Sequence, residues 1–291
     1  MSRASVIVGG IALFILLLIW MWHWSARHEA AVKNLWEHFL RQRRIASVRH
    51  RFARQISFVR ARLSPHGYFG FKMTFGTLML IGASWLFGGI SEDVLTGDPL
   101  TIVDQYVAQW FRAHATSLVT ESMLVISNLH GVVAITVYVA ALAVYLLWKH
   151  DWLWLWCLGV TVPGGMLLNV VMKHAFQRAR PNLDGPFLTL TTYSFPSGHV
   201  AGTALFYGVL AAMLVSKVNV WRWQLLIAFA AIALVVLVAL SRLYLGVHYL
   251  SDVLAAFAEA VAWLSLSLMG IHTWWQHRAQ YPRNENANVS Q

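Results

Sequence analysis

Three short stretches hold side chains able to do chemistry: KHAFQRARP at 173–181, PSGH at 196–199 and SRLYLGVHYLSD at 241–252. In the first, Lys173 and Arg180 are seven residues apart, a spacing that puts them on one face of a helix, which Pro181 then stops. Alone, such a pair reads equally well as cations snorkelling at a membrane edge. In the second, Pro196 and Gly198 are turn residues and Ser197 stands where a helix would be capped. Backbone N–H groups at that helix start form an anion site. His199 by itself is more often structural than catalytic. In the third, His248 and Asp252 are four apart and share a helical face. A carboxylate there fixes one imidazole tautomer and orients the other nitrogen.

The elements that must position these residues are membrane spans. The chain has 291 residues, 58% of them hydrophobic, and 15 tryptophans; a soluble domain is about half apolar. Apolar runs of about 18 or more residues read as bilayer spans. Seven occur, at 5–24, 71–90, 121–148, 152–172, 199–216, 224–241 and 250–271. The fold class is all-α: a polytopic membrane protein with a six-helix core at 70–275. Ahead of the core come an extra transmembrane anchor at 1–25 and a cytoplasmic segment at 26–69; a polar cytoplasmic tail at 276–291 follows. The first run is expected to stay as an anchor and not to be cleaved as a signal peptide, because only Arg3 precedes it and no A-x-A site follows. Trp20, Trp22, Trp24, Trp152, Trp154, Trp221, Trp223, Trp274 and Trp275 lie near span ends, as an aromatic belt requires. The single Cys157 excludes an internal disulfide and a thiolate metal cluster.

Charge sets the orientation. The formal net charge is +10, and eleven of the 22 Lys and Arg residues fall between Arg27 and Lys72, against Glu29 and Glu37 only. The positive-inside rule places that segment in the cytoplasm. Counting spans then puts Lys149, Lys217, Arg222, Arg278 and Arg283 inside, and the acidic loop with Glu92, Asp93, Asp98 and Asp104 outside. Within the basic segment, Ile45, Val48, Phe52, Ile56, Val59 and Leu63 recur at steps of three and four. This is a basic amphipathic helix, suited to anionic inner-leaflet lipids over residues 27–66; tethered between two spans, it is not expected to bind nucleic acid. Val103, Tyr106, Val107, Trp110 and Phe111 indicate a second, shorter interfacial helix on the outer side.

Lys173, Arg178, Arg180 and Arg242 fall on the outer side, against the rule. Topology gives them company. From His199 the chain crosses inward, turns near Lys217–Trp223 and returns at Ser241, so both histidines reach one membrane face with Asp252, Lys173, Arg180 and Arg242. Charges at membrane depth are costly and functional by default. Two histidines and an aspartate could bind a metal, but three permanent cations beside them favour an anion. Arginine's planar fork fits phosphate oxygens and lysine adds a point charge. A histidine held by aspartate is an activated nucleophile, and a second histidine can serve as general acid. The residues therefore point to phosphoryl transfer through a phosphohistidine, with no metal and no cofactor.

The pattern K-x6-R-P, P-S-G-H and S-R-x5-H-x3-D, carried here by Lys173–Pro181, Pro196–His199 and Ser241–Asp252, resembles the three-part signature of the type 2 phosphatidic acid phosphatase family. That family includes bacterial undecaprenyl-diphosphate and phosphatidylglycerophosphate phosphatases and shares its site with vanadium haloperoxidases. The resemblance covers residues 70–275; the anchor and basic helix resemble the region preceding the domain in some larger bacterial members. It implies that Lys173, Arg180 and Arg242 bind the phosphoryl oxygens, with Ser197 and the Gly198 N–H completing the cradle. It implies that His248 attacks phosphorus, Asp252 orients His248, and His199 protonates the leaving oxygen. Arg178 and Asn169 are expected to support these groups.

The implied protein is an integral lipid phosphatase of a bacterial inner membrane, its site facing the periplasm, acting on an isoprenoid or glycerolipid (di)phosphate. Undecaprenyl diphosphate comes first, with phosphatidylglycerophosphate and phosphatidic acid as rivals. A lipid phosphotransferase, passing the phosphoryl group to a lipid sugar, would use the same residues. An inactive scaffold would need none of them, and soluble haloperoxidase activity does not suit seven spans. The sequence leaves oligomeric state open.

Overall fold

The computed structural model describes residues 71–97, 99–182 and 190–280. The anchor at 1–25, the basic segment at 26–69 and the tail beyond 280 lie outside the described residues. Every regular element among the described residues is an α-helix: α1 Phe71–Thr96, α2 Pro99–Ala113, α3 Ser117–Leu129, α4 Val132–Trp148, α5 Trp152–Phe176, α6 Gly198–Lys217, α7 Trp221–Tyr244 and α8 Leu250–Gln280. Helix α8 runs past the expected core boundary at 275 and takes in the start of the tail.

Helices α1, α5, α6, α7 and α8 are each long and apolar enough to cross a membrane, and α3 and α4 reach that length only together, as a pair bent by 43°. The run at 121–148 is therefore not the single straight helix its composition predicts. The break lies at His130–Gly131, where Gly131 is extended with ψ 170°. The His130 ring turns back 2.9 Å onto the Ile126 carbonyl, and its Nε2 lies 3.3 Å from the Tyr207 hydroxyl. The N–H groups of His130 and Gly131 are satisfied by short turns to the carbonyls of Ser127 and Asn128, both at 3.2 Å. Internal satisfaction of this kind is what lets an irregular backbone sit inside a span.

Helix α8 packs against α1, α2, α5 and α6 and so forms the axis of the bundle. The core gathers Cys157, Leu158 and Val162 of α5, Val200, Leu205 and Val209 of α6, and Val253, Ala256 and Ala260 of α8. These three helices approach closely because small residues stand at the crossing. A Cβ on Gly165 would lie 2.5 Å from Leu205 Cδ1 and 2.8 Å from Trp263 Cδ1. Outward, α1 exposes Phe75, Leu78, Ile81 and Trp85, side chains suited to lipid.

A helix forms where the interfacial one was expected: α2 has Ile102, Val103, Tyr106 and Trp110 exposed. Phe111 instead turns inward against Tyr244, ring centroids 6.1 Å apart. Of the expected tryptophan belt, Trp152, Trp221, Trp223 and Trp274 are exposed, whereas Trp154 is buried and packs edge-on to His272.

Candidate active site

The end of α5, the start of α6 and the α7–α8 turn meet at one end of the bundle. Their boundaries correct two expectations. Helix α5 stops at Phe176, not at Pro181, with Gln177 in the left-handed region at φ 45°. Lys173 and Arg180 therefore share no helical face. Proline disfavours the helical region for the residue before it, Arg180, and the helix ends early enough for residues 178–180 to lie along the segment before α6. There the Ser194 N–H donates to the Arg178 carbonyl at 2.9 Å, and its hydroxyl to the Ala179 carbonyl at 2.9 Å. Likewise His248 is not helical. Gly246 takes φ 68°, which ends the α7 turn, and α8 begins only at Leu250.

The three cations reach the site by different routes. Lys173 Nζ donates to the carbonyls of Pro196 at 2.6 Å and Tyr193 at 3.0 Å, tying the loop before α6 to α5. Arg180 donates to the Thr192 carbonyl at 2.7 Å and the Val247 carbonyl at 2.6 Å, joining that loop to the α7–α8 turn. Arg242 is 2% exposed. Its Nη1 donates to the Ser127 hydroxyl of α3, while its Nε is buried without a hydrogen-bond partner, as is Ser197 Oγ. Ser197 occupies the N-cap position of α6 without capping through its side chain; its N–H donates to the Asp252 carbonyl at 3.0 Å. His199 is the second residue of α6, its Nε2 3.6 Å from where a Cβ on Gly131 would sit. The break between α3 and α4 thus borders His199.

His248 lies between Asp252 and Arg180. Its Nδ1 is 3.4 Å from Asp252 Oδ2 and its Nε2 is 3.4 Å from Arg180 Nη1. A carboxylate only accepts and a guanidinium only donates, so both contacts select the tautomer with the proton on Nδ1 and the lone pair on Nε2. Burial pushes His248 down to about 4; Asp252 pulls the other way, and Arg242 and Arg180 add to the depression. Burial also lowers Arg180, with Asp252 opposing.

Arg178 is built into the same region. Its Nη1 donates to Asp252 Oδ1 at 2.7 Å and to Ser251 Oγ at 2.6 Å, and its Nη2 to Asp104 Oδ2 at 2.8 Å. Burial disfavours its charge, but Asp252 and Asp104 outweigh burial and raise its pKa. Deeper in the bundle, Asn169 Nδ2 donates to Glu259 Oε2 at 2.8 Å, and a Cβ on Gly198 would lie 3.3 Å from Asn169 Oδ1.

Reading by local spacing passes over Asp104, Ser127, Ser251 and Glu259. Glu259 did leave a signal, a carboxylate inside an apolar run seven residues beyond Asp252 and so on its face. Asp104, taken as part of an acidic loop, is instead 1% exposed on α2.

The family model described as the PAP2 superfamily matches residues 154–276. Phosphatidylglycerophosphatase B of Bacillus subtilis is 39% identical over 93 residues, 32% of this chain and 45% of that protein. An undecaprenyl-diphosphatase of Sulfolobus acidocaldarius is 36% identical over 105 residues, 34% of this chain and 46% of that protein. The chain thus spans less than half the length of the curated relatives it matches. A crystal structure of a transmembrane PAP2 type phosphatidylglycerolphosphate phosphatase from Bacillus subtilis has the same fold, with a TM-score of 0.59, 24% identity and coverage of 67% of this chain and 96% of that one. This is a multi-pass membrane protein whose residues 154–276 match the PAP2 superfamily model.

Proposed function

We propose that the chain is a membrane lipid phosphatase that works through a phosphohistidine on His248. The observation that carries this reading is the placement of His248 between a buried carboxylate and a cationic group, with Arg242 Nε and Ser197 Oγ buried and unpaired. Neutral His248 attacks phosphorus through Nε2, forming the N–P bond as the bond to the leaving oxygen breaks. Asp252 holds the Nδ1 proton and stabilises the imidazolium. His199 gives a proton to the leaving oxygen and then takes one from the water that hydrolyses the phosphohistidine. Lys173, Arg180, Arg242, Ser197 and the Gly198 N–H stabilise the equatorial oxygens. No step calls for a metal.

The substrate class is an isoprenoid or glycerolipid (di)phosphate whose tail stays in the bilayer. Undecaprenyl diphosphate is the substrate we assign first: three permanent cations suit a diphosphate, and one relative carries that activity in its name. Phosphatidylglycerophosphate is the second reading, favoured by the name of the Bacillus subtilis relative. The cationic site faces the outside of a bacterial inner membrane, and residues 27–66 lie on anionic lipids of the inner leaflet.

The test is phosphate release by purified protein in detergent, from undecaprenyl diphosphate, phosphatidylglycerophosphate and phosphatidic acid in parallel, without added metal. Release fastest from the diphosphate is expected. A glycerolipid preference would transfer the protein to phospholipid metabolism. No release from any of the three, with transfer to an added lipid-sugar acceptor, would establish a phosphotransferase instead.

A further inference from the structure

We propose that Asp104 and Arg178 are positioning residues for the His248 step, so that helix α2 sets the geometry of the Asp252 carboxylate. The proposal rests on the phosphohistidine reading.

Asp252 has no freedom to turn. Its Oδ1 accepts from Arg178 at 2.7 Å, and its Oδ2 accepts from the Tyr249 N–H at 2.9 Å and faces His248 Nδ1 at 3.4 Å. Arg178 is equally fixed. Asp104 holds the other arm of its fork at 2.8 Å, and the guanidinium carbon lies 4.4 Å over the Tyr249 ring. Asp104 is fixed in turn by Ser251, whose N–H donates to Oδ1 at 2.9 Å and whose hydroxyl donates to Oδ2. The side chains of Asp104 and Asp252 are both 0% exposed.

The charge count is what argues for a role beyond packing. Arg178 alone would balance Asp252. A second buried carboxylate on the same guanidinium adds a desolvation cost of several kcal/mol. It also changes what Arg178 does to Asp252. With Asp104 holding the other arm of its fork, Arg178 orients Asp252 while sharing its charge between two carboxylates. Asp252 then keeps its field for the imidazolium that forms as Nε2 bonds to phosphorus. The charged and titratable groups that act on His248 are Asp252 of α8, Arg242 of α7, Arg180 of the α5–α6 connection and His199 of α6, with Arg178 behind Asp252. Asp104 comes from α2, whose other face exposes Ile102, Val103, Tyr106 and Trp110. One short helix therefore joins an exposed apolar face to the partner of the Asp252 carboxylate.

The experiment compares full-length wild type with Asp104→Asn, Asp104→Glu and His248→Asn, using the lipid phosphate that wild type hydrolyses fastest. Tryptophan fluorescence melting checks that each is folded. Asp104→Asn is expected to lower kcat about ten- to a hundredfold, as loss of an outer partner of a functional imidazole does, with KM little changed. It should also move the enzyme's acid limb in kcat/KM to lower pH, because uncompensated Arg178 opposes protonation of His248. Asp104→Glu should recover part of kcat. Unchanged kcat and limb in folded Asp104→Asn would overturn the proposal, as would a loss uniform across pH that tracks the amount of folded protein. If Asp104→Asn does not fold, Ser251→Ala removes the hydroxyl shared by Arg178 and Asp104 and should shift the limb the same way by less; no shift would overturn the proposal. Wild-type turnover by His248→Asn would overturn the phosphohistidine reading itself, and the proposal with it.

Discussion

In the proposed mechanism His248 attacks as a neutral imidazole, and its burial favours that form. With its pKa pushed from 6.5 to about 4, the ring stays unprotonated as pH falls from neutrality and loses its lone pair only near pH 4. The enzyme's acid limb, read from kcat/KM after subtracting the substrate's own ionisation, should therefore fall through about pH 4; a limb near 6.5 would mean that His248 is hydrated in the working protein. His248→Asn should cost at least about a thousandfold in turnover, the scale seen when a covalent nucleophile is removed, measured as phosphate release per mole of folded protein. At this scale the sequence was highly legible. Lys173, Arg180, Ser197, His199, Arg242, His248 and Asp252 are recognisable by type and spacing, and the structure gathers them at one end of the bundle. Their partners were not legible. Asp104 reaches Ser251 across 147 positions and Ser127 reaches Arg242 across 115, and no local spacing encodes contacts that the bundle alone creates.

Among elements, hydrophobic runs located the spans, while helix ends and bends followed local backbone chemistry. Gln177 ended α5 four residues before the proline expected to stop it, and Gly246 ended α7 before His248. The bend at His130–Gly131 was hidden because both flanking helices are apolar, so the composition of 121–148 is continuous across it. The glycines of α5 were visible in sequence without a stated partner; the structure supplies it. Gly165→Ala would push a methyl group to 2.5 Å from Leu205 and 2.8 Å from Trp263. Overpacking of this kind costs about 1–3 kcal/mol, and a lower melting temperature in detergent should report it. Gly159→Ala is the matched control, since nothing lies within 4 Å of its added Cβ, and it should melt as wild type does.

For the molecule as a whole, the positive charge gathered at one end is the reason for proposing anion rather than metal chemistry. EDTA should leave phosphate release largely intact, and vanadate should inhibit by mimicking pentacoordinate phosphorus. Complete loss with EDTA, restored by a divalent ion, would favour the metal reading. Orientation in the membrane can be tested through Cys157, the chain's single cysteine, which is buried in the α5 core with 0% exposure. A reagent that attacks thiols from water finds nothing to react with in the native protein. Any cysteine introduced at the surface becomes a solitary reporter, with no need for a cysteine-free background. Thr116→Cys, at the start of α3, should take a membrane-impermeant maleimide on intact cells, and Lys149→Cys, after α4, only once the cells are opened. The reverse pattern would place the cationic site on the cytoplasmic face. A thiol silenced by packing thus makes this protein a ready substrate for mapping which way it faces.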